Sequence, residues 1–367
     1  MRFYPLFLTL NPDFLIIGGG VIGLSSALEL AREGAHVTVL ERGTAGAESS
    51  WAGGGILSPL LPWHYPDAVS RLCELGVELY PQWSAGLQSG SGIDPEFWVS
   101  GMLVLPPVDD TAAESWCAQH DWRHVREQAR ARVPALAESG AAWWLPDVAQ
   151  VRNPRLVQAL RATALNAGVN LLERVEVTRV VRTGPAHIDY LDTPQGKMQA
   201  GAYVVAAGAW SQTVLGDIAP HWPIKPMCGQ MLLFKAAPDL LPHIVYRHGI
   251  YLIPRRDGHI LAGSTVEDVG FDKSTTEAVR QMLYKAATDI LPALKSAPLV
   301  QHWSGLRPGS PDNVPTIARH PLIENLYANT GHFRYGVTMA PASALLLADL
   351  ISNRKTTLDM TAYQWTL

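Results

Sequence analysis

Cysteine is scarce in this chain of 367 residues: Cys73, Cys117 and Cys228 are three, odd in number and far apart. That argues against a disulfide framework and makes a reducing, cytoplasmic setting the simpler expectation. Charge is also sparse, at 17% of residues, and it nearly cancels: 29 basic against 33 acidic side chains, a formal net charge of −4. No basic excess draws the chain to nucleic acid or to an anionic membrane. No apolar run approaches the length of a membrane span, and no internal repeat or low-complexity tract is visible. What is present is an ordinary globular composition, 47% hydrophobic, in a length that suits about two domains able to bury a large core.

The first twelve residues, MRFYPLFLTLNP, are apolar with one Arg; Pro5 interrupts them and no small-residue cleavage site follows. They read as a short leader on a cytoplasmic protein, because a strand begins directly afterwards. Phe14-Leu15-Ile16-Ile17 favours a β-strand, Gly18-Gly19-Gly20-Val21-Ile22-Gly23 follows, and residues 24–33 are helix-forming up to Gly34. A second buried strand, Val37-Thr38-Val39-Leu40, closes on Glu41, eighteen residues past Gly23. This is a β-α-β unit carrying the dinucleotide fingerprint G-x-G-x-x-G and its terminal acid. Gly18 allows the tight turn, Gly20 lets the backbone approach a pyrophosphate, and Gly23 lets helix and strand pack closely. The helix N-terminus favours the anion, and Glu41 can accept from ribose hydroxyls while repelling a 2′-phosphate. Gly90-Ser91-Gly92 is a decoy: no strand precedes it, and it reads as a loop.

Residues 111–140 are mostly polar and helix-favouring. Cys117, His120 and His124 fall there at helical spacing, but no fourth ligand is suggested and no metal site is expected. Trp122, Arg123, Arg126, Arg130 and Arg132 read as a charged surface helix. A helix is expected over 155–166, ended by Gly168, then strands within 169–181. Tyr203-Val204-Val205 is a strand running into the small-residue turn at Gly208. Strands at 230–234, 250–253 and 260–263 read as antiparallel sheet, and an Ala/Leu-rich helix covers 337–351.

The segments IIGGGVIG, SSWAGGGILSPL, VVAAGAWS, YLIPR, GLRPG and GHFRYG occur in this order from residue 13 to about 352. Together they resemble the D-amino-acid oxidase superfamily and, within it, the glycine oxidases. The resemblance implies an α/β fold: a glutathione-reductase-like Rossmann FAD-binding domain with a second, antiparallel-sheet substrate domain. The expected division is 1–85, 150–220 and 302–367 for the first and 86–149 and 221–301 for the second.

By the same resemblance, Val21, Ile22, Glu41 and Arg42 would line the ADP half of FAD. Ser49, Ser50, Gly54, Gly55 and Ile56 would hold the pyrophosphate and flavin edge, and Val177 would meet the adenine. The Gly208 turn approaches the cofactor, and His332, Phe333, Arg334, Tyr335, Gly336, Val337 and Thr338 would wrap the flavin's pyrimidine end. Arg307 would bind the substrate carboxylate as a two-pronged fork, with Tyr251 assisting and Arg334 beside the substrate. Residues 308–330 contain no cysteine, so non-covalent FAD is expected. Val266 stands where one member of the family has a methionine, a departure that leaves fine substrate preference open.

The implied activity is an FAD-dependent oxidase of glycine, and of sarcosine or small D-amino acids, with oxygen as acceptor and peroxide, ammonia and glyoxylate as products. Thiamine biosynthesis is the implied pathway and a homo-oligomer the expected assembly. Two other readings stay open at this point. One is a D-amino-acid or secondary-amine dehydrogenase with a non-oxygen acceptor; the other is a non-catalytic flavin-binding protein.

Overall fold

The computed structural model describes residues 11–219 and 221–365. The apolar leader falls almost entirely outside the described residues. Two sheets organise the rest. The first has six strands in the order Thr316–Arg319, Leu326–Thr330, Ala202–Val205, Phe14–Ile17, Val37–Glu41, Asn170–Glu173. All neighbours are parallel except the first pair. Strand alternation decides which side chains face which layer. Ile16, Val39 and Val204 pack under the helices Val21–Arg32, Asp67–Ser91, Asn153–Asn166 and Gly336–Ile351. Leu15, Ile17, Tyr203 and Val205 face a cluster that includes Leu191 of the three-stranded ribbon 179–198.

The glycine turn works by close approach. Gly18 has φ +109°, and a Cβ there would lie 2.4 Å from the Ala206 carbonyl oxygen; one on Gly23 would lie 1.9 Å from the Gly18 carbonyl oxygen. Only glycine lets helix Val21–Arg32 seat against the strand end. The last long helix carries Pro341 in its interior. Proline cannot donate to the carbonyl four residues back, that of Val337. Tyr80 Oη donates to that carbonyl instead, at 2.9 Å.

The second sheet has eight strands, from the edge strand Leu299–Gly309 through Lys225–Lys235, His259–Gly263, Ile250–Pro254, Ile244–Arg247, Met102–Val104 and Ala141–Leu145 to Val125–Gln128. The expected antiparallel arrangement holds at every join except one: Ile244–Arg247 runs parallel to Met102–Val104. Helix Glu277–Ile290 covers one face through Leu283, Ala287 and Ile290.

Two local expectations need correction. The stretch around Arg123–Arg132 is not one helix. A helix spans Asp110–Gln119, Val125–Gln128 is a strand, and Ala129–Arg132 is a single turn. Pairing with Ala141–Leu145 and the seating of Arg132 over the Trp144 ring, 4.4 Å from its centroid, outweigh helix propensity. Gly90 and Ser91 are the end of helix Asp67–Ser91, which Gly92 closes at φ +73°. The expected domain joins at 85 and 302 fall inside that helix and inside the strand Leu299–Gly309.

Cys117, His120 and His124 do not converge. His120 pairs with Glu74 at 2.5 Å and stacks on Trp116, while His124 packs on Trp143. Among the described residues no group of three or more His, Cys, Asp or Glu side chains is placed to hold a metal. No helix among them is long and apolar enough to cross a membrane.

Candidate active site

Where the two sheets meet lies a cavity of about 460 Å³. It begins at the glycine turn and ends under the second sheet. Every cofactor or substrate residue singled out from the sequence lines it except Gly23, which is packed behind the turn; Val266, linked above to substrate preference, is exposed and lies outside the cavity.

At the turn end, the Glu41 carboxylate accepts from Gly19 N at 2.8 Å and Gly43 N at 2.7 Å. It clamps the loop whose backbone it faces. Helix Val21–Arg32 has no capping side chain of its own; Ser50 Oγ, from 29 residues further on, accepts from Val21 N at 2.9 Å. Asn153, fully buried, donates to the Ser50 carbonyl at 2.9 Å and holds that serine's segment in place. Arg42 lies over the Trp210 ring, 3.7 Å from its centroid.

At the far end the loop His332 to Tyr335 leads into helix Gly336–Ile351, whose first residues face the cavity with the positive end of the helix dipole. Burial holds His332 at a pKa of about 3, so its imidazole is neutral; its Nε2 pairs with Ser343 Oγ at 2.9 Å. That makes it part of the loop's support and a poor base at neutral pH.

Three arginines approach this end and differ in their partners. Arg255, the last residue of the YLIPR segment, is fully spent as a clamp. It donates to Gln150 Oε1, the Val151 carbonyl and the Gly54 carbonyl at 2.8–2.9 Å. Arg307 donates to the Thr265 carbonyl at 3.1 Å and to Ser264 Oγ at 2.8 Å. Burial pulls its pKa below the ordinary arginine value, with Tyr251 opposing and Arg334 adding to the effect. Burial also weighs against charge on Arg334, but the phenols of Tyr65, Tyr335, Tyr251 and Tyr246 hold its pKa above the ordinary value. Neither Arg307 nor Arg334 has a carboxylate partner among the described residues. Two guanidiniums without counter-ions in one cavity make a site for an anion.

The cavity fits a flavin dinucleotide on three observations. The turn admits no Cβ at Gly18 or Gly23, an acid closes the second strand, and Asn153 Oδ1, Asn329 Oδ1 and His332 Nδ1 are buried in its wall without a protein partner among the described residues. Asn153, Ser264 and Asn329 were not legible as site residues. Only the Asn153-Pro154 pair leaves a mark in the sequence, as a turn signal.

Fold and cavity together define a dinucleotide-binding protein with a pocket for a small molecule at one end of the cavity. Residues 13–350 match the family model of FAD dependent oxidoreductases, DAO, and the chain belongs to that family. It is 43% identical to the glycine oxidase of Pseudomonas aeruginosa (95% of this chain, 97% of that one) and 34% identical to the bifunctional protein ThiO/ThiG of Trichormus variabilis (94% of this chain, 53% of that one). The crystal structure of glycine oxidase from Geobacillus kaustophilus superposes with a TM-score of 0.92 at 29% identity, covering 98% of this chain and 99% of that one.

Proposed function

We propose that this chain oxidises glycine, together with sarcosine or small D-amino acids, with FAD and oxygen. The balance is glycine, oxygen and water in; glyoxylate, ammonia and hydrogen peroxide out. The observation that carries the reading is Arg307, a half-buried guanidinium in a cavity wall with no acid to neutralise it. A free α-carboxylate supplies that partner through two charge-assisted hydrogen bonds. The high identity to the Pseudomonas aeruginosa glycine oxidase supports the substrate, and the likeness to ThiO/ThiG supports thiamine biosynthesis as the pathway.

FAD, held by Glu41, Ser50 and the glycine turn, would supply the redox chemistry, a hydride acceptor that oxygen can reoxidise. The chain's own residues bind and orient. Arg307 fixes the carboxylate, and Tyr251, 6% exposed, closes the pocket beside it. Arg334 lies alongside, its backbone carbonyl the candidate acceptor for the amine. Glu41, Ser50 and the helix N-termini at Val21 and Gly336 form the cofactor cradle. No His–carboxylate pair is needed to take a proton, because a neutral amine gives up the hydride without one.

We assign 1–85, 150–220 and 302–367 to the cofactor unit and 86–149 and 221–301 to the substrate unit, with two joins shifted to the element ends at 92 and 310. A cytoplasmic location is supported by three unpaired, buried cysteines. A homo-oligomer is supported by exposed Val266, Val269, Phe271 and Val300.

The test is direct: add glycine in air to the purified yellow protein and assay peroxide and glyoxylate. Turnover that appears only with an artificial acceptor would indicate a dehydrogenase. No turnover with any amino acid or secondary amine would indicate a binding role.

A further inference from the structure

The two acceptors that hold the Arg307 guanidinium, Ser264 Oγ and the Thr265 carbonyl, open a thirteen-residue strap, 264–276, that leaves the sheet and returns as helix Glu277–Ile290. Beyond Thr265 and Glu267 the strap is exposed. Its outer part rests on the other unit: Phe271 stacks on Trp210 and Lys273 pairs with Glu48 at 3.0 Å. An exposed strap is a poor foundation for a substrate anchor unless something fixes its base.

Two contacts do so: Glu267 exchanges backbone hydrogen bonds with Cys228, both at 2.9 Å, and Gln230, 1% exposed on the same strand Lys225–Lys235, holds the side chains around them. Gln230 Oε1 accepts from Thr276 N at 3.2 Å and from His302 Nε2 at 2.9 Å; its Nε2 donates to the two Glu267 carboxylate oxygens at 3.1 and 3.3 Å. Its backbone N donates to Thr265 Oγ1 at 2.8 Å, and Thr265 Oγ1 donates in turn to Glu267. One residue thus grips the strap in three places: its side-chain amide holds the last residue, Thr276, and the fourth, Glu267, and its backbone N–H holds the second, Thr265. The partners also fix the amide's orientation: reversed, it would set N–H against N–H at Thr276 and oxygen against oxygen at Glu267.

Resting on the reading of Arg307 as the carboxylate anchor, we propose that Gln230 is a positioning residue for substrate binding, holding Ser264 and Thr265 where the guanidinium needs them. It touches no substrate. Its own polar atoms are all partnered, in a half-buried network in which removing one member loosens the rest. Truncation should therefore move the anchor without emptying the cofactor site, which lies on other elements.

The groups facing this amide are Glu267 on the strap, His302 on strand Leu299–Gly309 and, through them, Cys228 on its own strand and Arg280 and Glu277 of the helix. A carboxylate placed at 230 would oppose Glu267, and the pair would keep its geometry only while sharing a proton. That gives a signature that general loosening would not.

The experiment uses FAD-loaded protein and glycolate as the carboxylate probe. In Gln230→Ala, the glycine KM and the glycolate Kd should rise together by about tenfold, with kcat within about threefold and FAD content unchanged. In Gln230→Glu, the glycolate Kd relative to the parent at each pH should be near one in acid and climb toward pH 9. Glu267→Ala, which removes the carboxylate but keeps the backbone pair with Cys228, should repeat the alanine effect and be non-additive with it. If Gln230→Ala does not fold, Glu267→Ala and the pH profile carry the test. Unchanged glycolate affinity in these variants, while Arg307→Ala abolishes it, overturns the role of Gln230 and leaves the anchor standing. Unchanged affinity in Arg307→Ala as well refutes the anchor itself.

Discussion

The guanidinium of Arg307 lies against the backbone of Gly229 on the neighbouring strand, so closely that a Cβ on Gly229 would sit 2.1 Å from Nη1 and 2.4 Å from Cζ. The register explains it. Gly229 faces Gly305 and Met227 faces Arg307, so the long side chain runs diagonally back over the glycine. Gly229→Ala should push the guanidinium off its two acceptors. We expect the glycine KM to rise by about tenfold or more, with FAD content and fold retained. Unaltered KM would mean that the side chain reaches the substrate from another direction.

Glu41→Gln should weaken FAD binding for two reasons. A carboxylate hydrogen bond to ribose contributes about 1.5–3 kcal/mol. In addition, the carboxylate now accepts from both Gly19 N and Gly43 N; an amide has one oxygen, so its NH2 would face a backbone N–H. Equilibrium dialysis of the apoprotein against FAD should show a loss of about tenfold to a hundredfold. An unchanged dissociation constant would place the ribose elsewhere.

FAD should come away intact. The cysteines are Cys73, Cys117 and Cys228, all buried, and none lines the cavity. Acid precipitation should leave all yellow colour in the supernatant; colour in the pellet would require a covalent link.

Residues whose roles arise within a short stretch of chain were legible from the sequence. The turn at Gly18–Gly23 and Glu41 belong to one β-α-β unit, and local packing fixes their geometry. Arg307 and Arg334 were legible because the motifs GLRPG and GHFRYG carry them. Gly229 and Gln230 left no such mark. Their roles come from strand register across about seventy residues and from the path of the strap, which no periodicity encodes. Arg123–Arg132 failed for the same reason in reverse: a helix-favouring composition yields to a strand partner at Ala141–Leu145.

The central claim is that Arg307 binds the substrate carboxylate, and glycolate titration of FAD-loaded Arg307→Ala tests it most directly. The contact serves ground state and transition state alike, so binding should suffer most. The account predicts that the glycolate Kd rises roughly a hundredfold or more, two charge-assisted hydrogen bonds being lost. The glycine KM should follow in parallel, and Arg307→Lys should restore only part of the affinity, keeping the charge without the fork. Glycolate binding and glycine kinetics equal to the parent's in Arg307→Ala would contradict it, and Arg334, the other cavity arginine without a counter-ion, would take its place.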